Sequence, residues 1–201
     1  MTGAMFIDFK KAFDTIDHGR LLSKLPCYGI RNRELAWFED YLFGRRQFVT
    51  FKSVNSEWQT VLTGVPQGSV LGPLLFILLI NDIDLQLQKS EILLYADDTV
   101  VFTSDKSCEI IESNLNSDLT NLARWFSDNQ LVLNHKKGKT ELVLYGTSKK
   151  VQVKINRTNI NEAESYKHLS VEMDKSLTYN KHIVSIVKKA SARVKLDSSI
   201  C

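Results

Sequence analysis

Residues 92–103 read Ile-Leu-Leu-Tyr-Ala-Asp-Asp-Thr-Val-Val-Phe-Thr. Two apolar runs flank Ala96-Asp97-Asp98, a pattern that predicts two strands joined by a tight β-hairpin with paired acids at its tip. Another acid is planted the same way, because Asp8 interrupts Met5-Phe6-Ile7 and Phe9. A carboxylate anchored in an apolar strand needs a partner. Were Asp8, Asp97 and Asp98 to converge to ~4 Å, each pair would repel by roughly 4 kcal/mol at an effective dielectric of about 20. Divalent magnesium, a hard ion that takes oxygen ligands and keeps water sites for substrate phosphates, answers that repulsion. The same residues also read as an ordinary turn and an edge-strand acid, since Asp is common in turns, and the residues alone leave both readings open.

Outward from the hairpin, Met5–Phe9 predicts a strand, and Phe13, Ile16, Leu21, Leu22 and Leu25 recur at helical spacing until Pro26 and Gly29. A second helix fits Glu34–Phe43, with Gly44 as its stop. Gln47–Lys52 and Glu57–Leu62 alternate like strands around a turn at Ser53–Ser56. After the turn-rich Gly64-Val65-Pro66-Gln67-Gly68-Ser69, the apolar run from Val70 to about Asp82 reads as a buried helix. Ser107–Asn129 predicts a long amphipathic helix whose buried stripe includes Leu115, Leu119, Leu122, Trp125 and Phe126. Strands follow at Leu131–Leu133, Thr140–Tyr145 and Val151–Ile155, and a basic helix closes the chain from about Asn180 to Leu196. This order predicts the α+β class: a mostly antiparallel sheet with helices packed on one face and the two acid-bearing segments on neighbouring strands.

The 201 residues are 43% hydrophobic and 24% charged, with only 9 Gly and 3 Pro, which suits a packed core and excludes a disordered or collagen-like chain. Three widely spaced cysteines, Cys27, Cys108 and Cys201, suggest neither a disulfide framework nor a zinc site, and point to reduced thiols in an intracellular protein. No signal peptide opens the chain. The longest apolar run, Val70–Ile80, falls short of the ~20 residues that span a bilayer, so no membrane association is expected. The net charge of +3 conceals an asymmetry: residues 1–133 carry 12 Lys and Arg against 17 Asp and Glu, and residues 134–201 carry 14 against 6. Such a chain gathers carboxylates in one place and offers cations to a polyanion in another, although solvated surface lysines give the same count.

Asp8-Phe9-Lys10-Lys11-Ala12-Phe13-Asp14, then Gly64-Val65-Pro66-Gln67-Gly68-Ser69, then Tyr95-Ala96-Asp97-Asp98, in that order and spacing, resemble motifs A, B and C of reverse transcriptases. Asp17-His18, Tyr28-Gly29-Ile30 and the stretch from Trp125 to Asn134 extend the match over nearly the whole chain, in the manner of a non-LTR retrotransposon. The resemblance implies a right-hand polymerase palm working as an RNA-directed DNA polymerase on an RNA template, a DNA primer and a dNTP, with two Mg2+ ions for which Mn2+ can substitute. Carried over position by position, it makes Asp8 and Asp97 metal ligands, Asp98 the accompanying acid and the Phe9 carbonyl a further ligand. Phe13 matches the ring beneath the nucleotide sugar, though it also fits a core position, and Gln67 matches the residue that contacts the incoming nucleotide.

In the family's motif D a lysine protonates the departing pyrophosphate, and in Asn134-His135-Lys136-Lys137-Gly138-Lys139 the candidates Lys137 and Lys139 compete for that role. Tyr166-Lys167-His168-Leu169-Ser170-Val171 resembles the primer grip of motif E, with Ser170 where the family usually has Gly. His168 is then a surface or primer-contacting residue. Relative to the family pattern the fingers segment and the endonuclease are missing, so the expectation is a palm over residues 1–180 and the start of a truncated thumb helix over 181–201. Such a fragment alone extends a primer poorly. The alternative reading is a catalytically silent relic that still binds nucleic acid through Lys181, Lys188, Lys189, Arg193 and Lys195. A two-metal nuclease fits less well, because it leaves the Pro-Gln-Gly loop unexplained.

Overall fold

The computed structural model describes residues 1–197; Cys201 and the last residues of the expected 181–201 segment lie outside the described residues, as does the side chain of Lys195. In chain order the elements are β1 (Thr2–Ile7), α1 (His18–Lys24), α2 (Asn32–Leu42), β2 (Arg46–Gln47), β3 (Thr50–Phe51), β4 (Val54–Asn55), β5 (Gln59–Thr60) and α3 (Leu71–Ile80). They continue with β6 (Glu91–Tyr95), β7 (Asp98–Ser104), α4 (Cys108–Asp128), β8 (Glu141–Tyr145), β9 (Lys154–Ile155), β10 (Thr158–Asn159), β11 (Asn161–Glu162), β12 (Ser165–His168), β13 (Val171–Asp174) and α5 (Asn180–Asp197). The chain forms two compact units. One comprises residues 1–8, 89–120 and the chain from 134 onward; the other comprises residues 9–88 and 121–133.

The first unit is built on a five-stranded sheet in the order β11-β8-β1-β7-β6. β1 lies at its centre, antiparallel to both β7 and β8, and only β11 runs parallel to its neighbour. A central strand is covered on both faces, which is why β1 is apolar at consecutive positions rather than alternating. Met5 and Ile7 are buried on one face, Ala4 and Phe6 on the other. Gly3 explains how closely α4 lies on the first face: a Cβ there would stand 2.6 Å from Ile111 Cγ2 and 3.1 Å from Leu115 Cδ1. The opposite face, where the sequence predicts no cover, is capped by the β12–β13 hairpin, with Tyr166 and Met173 packed on Ala4, Phe6, Val100 and Val143. Those two strands and β10–β11 escape sequence reading because they are short, polar and without alternation.

In the second unit α1 and α3 share a core of Leu21, Leu25, Leu75, Phe76 and Leu79. Lys24 reaches from α1 to the Leu79 carbonyl and the Asp82 carboxylate, 2.7 Å each, with its ammonium 4.8 Å from the Trp125 ring centroid. The helix expected from Phe13 onward starts later, at His18. Asp17 caps it by accepting from the Arg20 amide at 2.7 Å, while the carbonyls of Phe13 and Ile16 accept from Val65 and Gly64 at 2.9 and 2.8 Å. Backbone bonds committed to another loop are unavailable to a helix. The apolar run predicted to be a buried helix is α3, but only one side of it is buried: Leu74 and Ile77 are each 46% exposed.

Residues 45–62 form a two-tiered hairpin. Arg46 pairs with Thr60 and Gln47 with Gln59, then Thr50 with Asn55 and Phe51 with Val54, so the second arm holds one residue more than the first between the tiers, a bulge. Its turn is Lys52-Ser53, both at positive φ (46° and 66°), earlier than the Ser53–Ser56 turn expected from sequence. Left-handed backbone at both loop residues is what a two-residue hairpin requires.

Candidate active site

Strand register places the acids. Ile7 pairs with Thr99, so Asp8, the next residue, comes level with Asp98 at the ends of β1 and β7. Tyr95 pairs with Asp98, which leaves Ala96-Asp97 as the two-residue tip of the β6–β7 hairpin. Ala96 adopts φ 51°, a conformation costing an L-residue about 1–2 kcal/mol, and such strain persists only where surrounding structure imposes it. Burial raises the Asp98 pKa above its ordinary value, and the neighbouring Asp97 and Asp8 carboxylates raise it further, against the opposing pull of His168 and Lys139.

Asp8 is held by the segment that leads into β8. Asn134 Nδ2 donates to Asp8 Oδ2 at 2.8 Å, Lys139 Nζ lies 3.2 Å from Oδ1, and the Asn134 amide donates to the Asp8 carbonyl at 2.8 Å. The Lys139–Asp8 pair is partly solvated, with the lysine side chain 49% and the aspartate 25% exposed, so its strength is modest. Of the two lysines left open by the sequence, Lys139 is the one that reaches the acids; Lys137 is exposed. Neither Asn134 as a carboxylate anchor nor Tyr166 as a brace was foreseen. The Tyr166 ring stacks on Phe6 with centroids 4.2 Å apart, and its hydroxyl donates to the Lys139 carbonyl at 2.7 Å. Burial, followed by the Asp8, Asp98 and Glu141 charges, pushes the Tyr166 phenol up to about 12, so it stays a neutral donor. His168, two residues on, lies with its ring 5.6 Å from that of Phe6. Leu169-Ser170 is the two-residue turn of the β12–β13 hairpin, and Ser170 holds φ 71°, a backbone that glycine adopts freely.

Among the described residues no three His, Cys, Asp or Glu side chains form a ready-made metal cage. Magnesium does not require one, because it binds through one or two carboxylates with the rest of its shell from water and substrate phosphates. The donor chemistry fits: hard carboxylate oxygens lie at one sheet end, where burial first and the neighbouring carboxylates next raise Asp98.

The remaining predicted residues lie in the second unit. The Phe9 ring is buried edge-on against Phe126, centroids 5.2 Å apart. Phe9 bridges Leu133 as a non-hydrogen-bonded pair, flanked by bonds from Lys10 N to Val132 O and from Asn134 N to Asp8 O, so its own carbonyl turns away from that segment. The Phe13 ring is half-buried, 4.7 Å from that of Phe76, and both readings of it meet here: one side packs and the rest is open. Gln67 Nε2 donates to Asp14 Oδ1 at 2.7 Å. Its loop is sewn to the stretch after Phe13 by Gly64, whose φ of +84° and absent Cβ, which would stand 2.7 Å from the Asp14 carbonyl oxygen, permit the approach. Buried His18 adds a bond of 2.7 Å between Nε2 and the Gly64 carbonyl, so Nε2 carries the proton. A cleft of about 560 Å³ opens beside this loop, lined by Arg45 and Arg46 along with Asp14 and Gln67. The arginines carry no motif spacing that would single them out in sequence.

Comparison with known proteins gives the family and the fold. Residues 1–189 match the family model described as reverse transcriptase (RNA-dependent DNA polymerase). The chain is 31% identical over 202 residues to the probable RNA-directed DNA polymerase from transposon X-element of Drosophila melanogaster, covering 95% of this chain and 21% of the relative. It is 29% identical to the polymerases of transposon BS and mobile element jockey of the same species, covering 95% and 94% of this chain. The chain thus spans about a fifth of the length of these curated relatives. The fold is similar to apo telomerase from Candida tropicalis, with a TM-score of 0.60 at 12% identity over 89% of this chain and 35% of that one. It is also similar to telomerase from Candida albicans in complex with a telomeric RNA fragment, with a TM-score of 0.57 at 13% identity over 89% and 31%. With its three motifs in order and its acids at one sheet end, the chain belongs to the reverse transcriptase (RNA-dependent DNA polymerase) family, on the non-LTR retrotransposon branch.

Proposed function

We propose that this chain carries the nucleotidyl-transfer site of an RNA-directed DNA polymerase, in the palm of a right-hand polymerase, acting on an RNA template, a DNA primer and a dNTP. The observation that carries the reading is the register that sets Asp8 level with Asp98 beside the Ala96-Asp97 turn. Asp8 and Asp97, with Asp98 beside them and the Phe9 carbonyl as a further oxygen, are the groups to hold magnesium or manganese. A pair of such ions, when bound, acidifies the primer 3′-hydroxyl and neutralises the triphosphate and its leaving pyrophosphate.

The protein's own part is positioning and proton supply. Asn134 fixes Oδ2 of Asp8, so that carboxylate is oriented before substrate arrives. Lys139 brings an ammonium to the acid end, where it can protonate the departing pyrophosphate, and Tyr166 braces its backbone. The Gly64–Gln67 loop presents Gln67 to the nucleotide, which competes with Asp14 for its amide, and the open side of Phe13 faces the sugar. The test is primer extension on a primed RNA template by this chain joined to the flanking segments of the jockey polymerase. Incorporation of deoxynucleotides in magnesium is expected, with loss of roughly a thousandfold or more in rate on Asp97→Asn. Synthesis that survives Asp97→Asn unchanged sinks the reading.

A further inference from the structure

We propose that the hairpin of residues 45–62, in the second unit, is a docking platform for single-stranded RNA. The proposal rests on the polymerase reading and adds to it a second contact with the template strand. The hairpin exposes what a soluble strand pair ordinarily hides: Phe51 is 70% and Trp58 54% exposed. Continuing the register from Arg46–Thr60 and Gln47–Gln59 sets Phe48 opposite Trp58, and their rings lie 4.4 Å apart. Cations are interleaved with these rings. The Arg46 guanidinium lies 5.5 Å from the Trp58 ring centroid, Lys52 Nζ 5.5 Å from that of Phe51, and the Arg45 guanidinium, at the base of the hairpin, 5.1 Å from that of Tyr41.

This chemistry selects the occupant. Residues 45–62 hold three Lys and Arg against one acid, Glu57, and Arg45 and Arg46 also line the cleft at the hairpin's base. An apolar protein surface laid over the patch would desolvate those cations without a counter-charge. A single strand satisfies both components, since phosphates pair with the arginines and unpaired bases stack on the open ring faces. A duplex hides its base faces and gains only the charge term.

The experiment is fluorescence anisotropy of a labelled 20-nucleotide oligouridine with the 201-residue protein, magnesium-free, across a salt series. Trp58→Ala and Phe51→Ala are expected to weaken binding at least about fivefold each, Trp58→Phe to retain most of it, and Arg46→Ala to reduce the slope of log affinity against log salt by about 0.7. All three positions are exposed, and circular dichroism checks that each of the four variants stays folded. Affinity unchanged in both Trp58→Ala and Arg46→Ala overturns the platform while leaving the polymerase reading intact. A parent protein that binds no oligouridine also overturns the platform, while the polymerase reading stands or falls on primer extension by the flanked chain. Self-association that Trp58→Ala abolishes in sedimentation, with RNA affinity untouched, overturns the proposal and assigns the patch to contacts between copies of the chain.

Discussion

Asp98 shows how one residue links site and stability. Its pKa lies above the ordinary carboxylate value through burial first and the Asp97 and Asp8 charges next. A raised acid pKa means that the folded state binds the proton more tightly than the unfolded one, so this contribution to stability is full below about 3.8 and is lost as pH rises through the folded pKa. At neutral pH, with metal chelated, Asp98→Asn is therefore expected to be more stable than the parent, and the difference should vanish as pH falls below the carboxylate range. Denaturation midpoints at several pH values decide it; an Asn variant less stable at pH 7 contradicts the sign. Phe13 carries a prediction about selectivity. Its ring packs on Phe76 on one side and is open on the other, where it can exclude a sugar 2′-hydroxyl by bulk alone. In the flanked polymerase, Phe13→Ala is expected to raise relative kcat/KM for ribonucleotides about tenfold per 1.4 kcal/mol of discrimination lost. A folded variant that still rejects ribonucleotides leaves Phe13 a packing residue.

Elements meet here through glycines that admit close neighbours. In β1, a side chain at Gly3 runs into Ile111 and Leu115 of α4, so Gly3→Val should cost about 2–3 kcal/mol through overpacking, read from urea denaturation. Gly64 combines a left-handed backbone with contact against the Asp14 backbone, which cannot swing aside as a side-chain tip does. Gly64→Ala should therefore cost about 2 kcal/mol or more, and it should displace Gln67 from Asp14. Loss of less than a few tenths of a kcal/mol at Gly64 contradicts this account of the loop. The same attachment explains why the periodicity of Phe13, Ile16 and Leu21 overestimates the first helix. Those apolar residues lie at helical spacing, but the carbonyls of Phe13 and Ile16 are already engaged by Val65 and Gly64.

For the whole molecule, the proposed metal site predicts that stability depends on a cation. Magnesium at ten times its dissociation constant is expected to stabilise the folded chain by about 1.4 kcal/mol, a rise in Tm of roughly 3–6 °C, and Asp97→Asn should remove most of that rise. An equal shift in parent and variant places the ion elsewhere. Much of the fold was legible in the sequence. Asp8, Asp97 and Asp98 stand out because acids embedded in apolar strands are costly, and the hairpin around them follows from its flanking β-formers. Long elements such as α4, fixed by eighteen or more residues of regular spacing, also read correctly. Short polar strands do not: β12 and β13 cover the open face of the sheet, a demand of Ala4, Phe6 and Val143 and not of their own sequence. Tertiary structure alone distinguished Lys139 from Lys137, found Asn134 on Asp8, and brought Arg45 and Arg46 to one cleft. The chain sequence determines which residues are costly to bury and how each segment repeats, since both are properties of neighbours along the chain. Which cation meets which carboxylate depends on loop closure between residues some 130 positions apart, and only the packed sheet sets that distance.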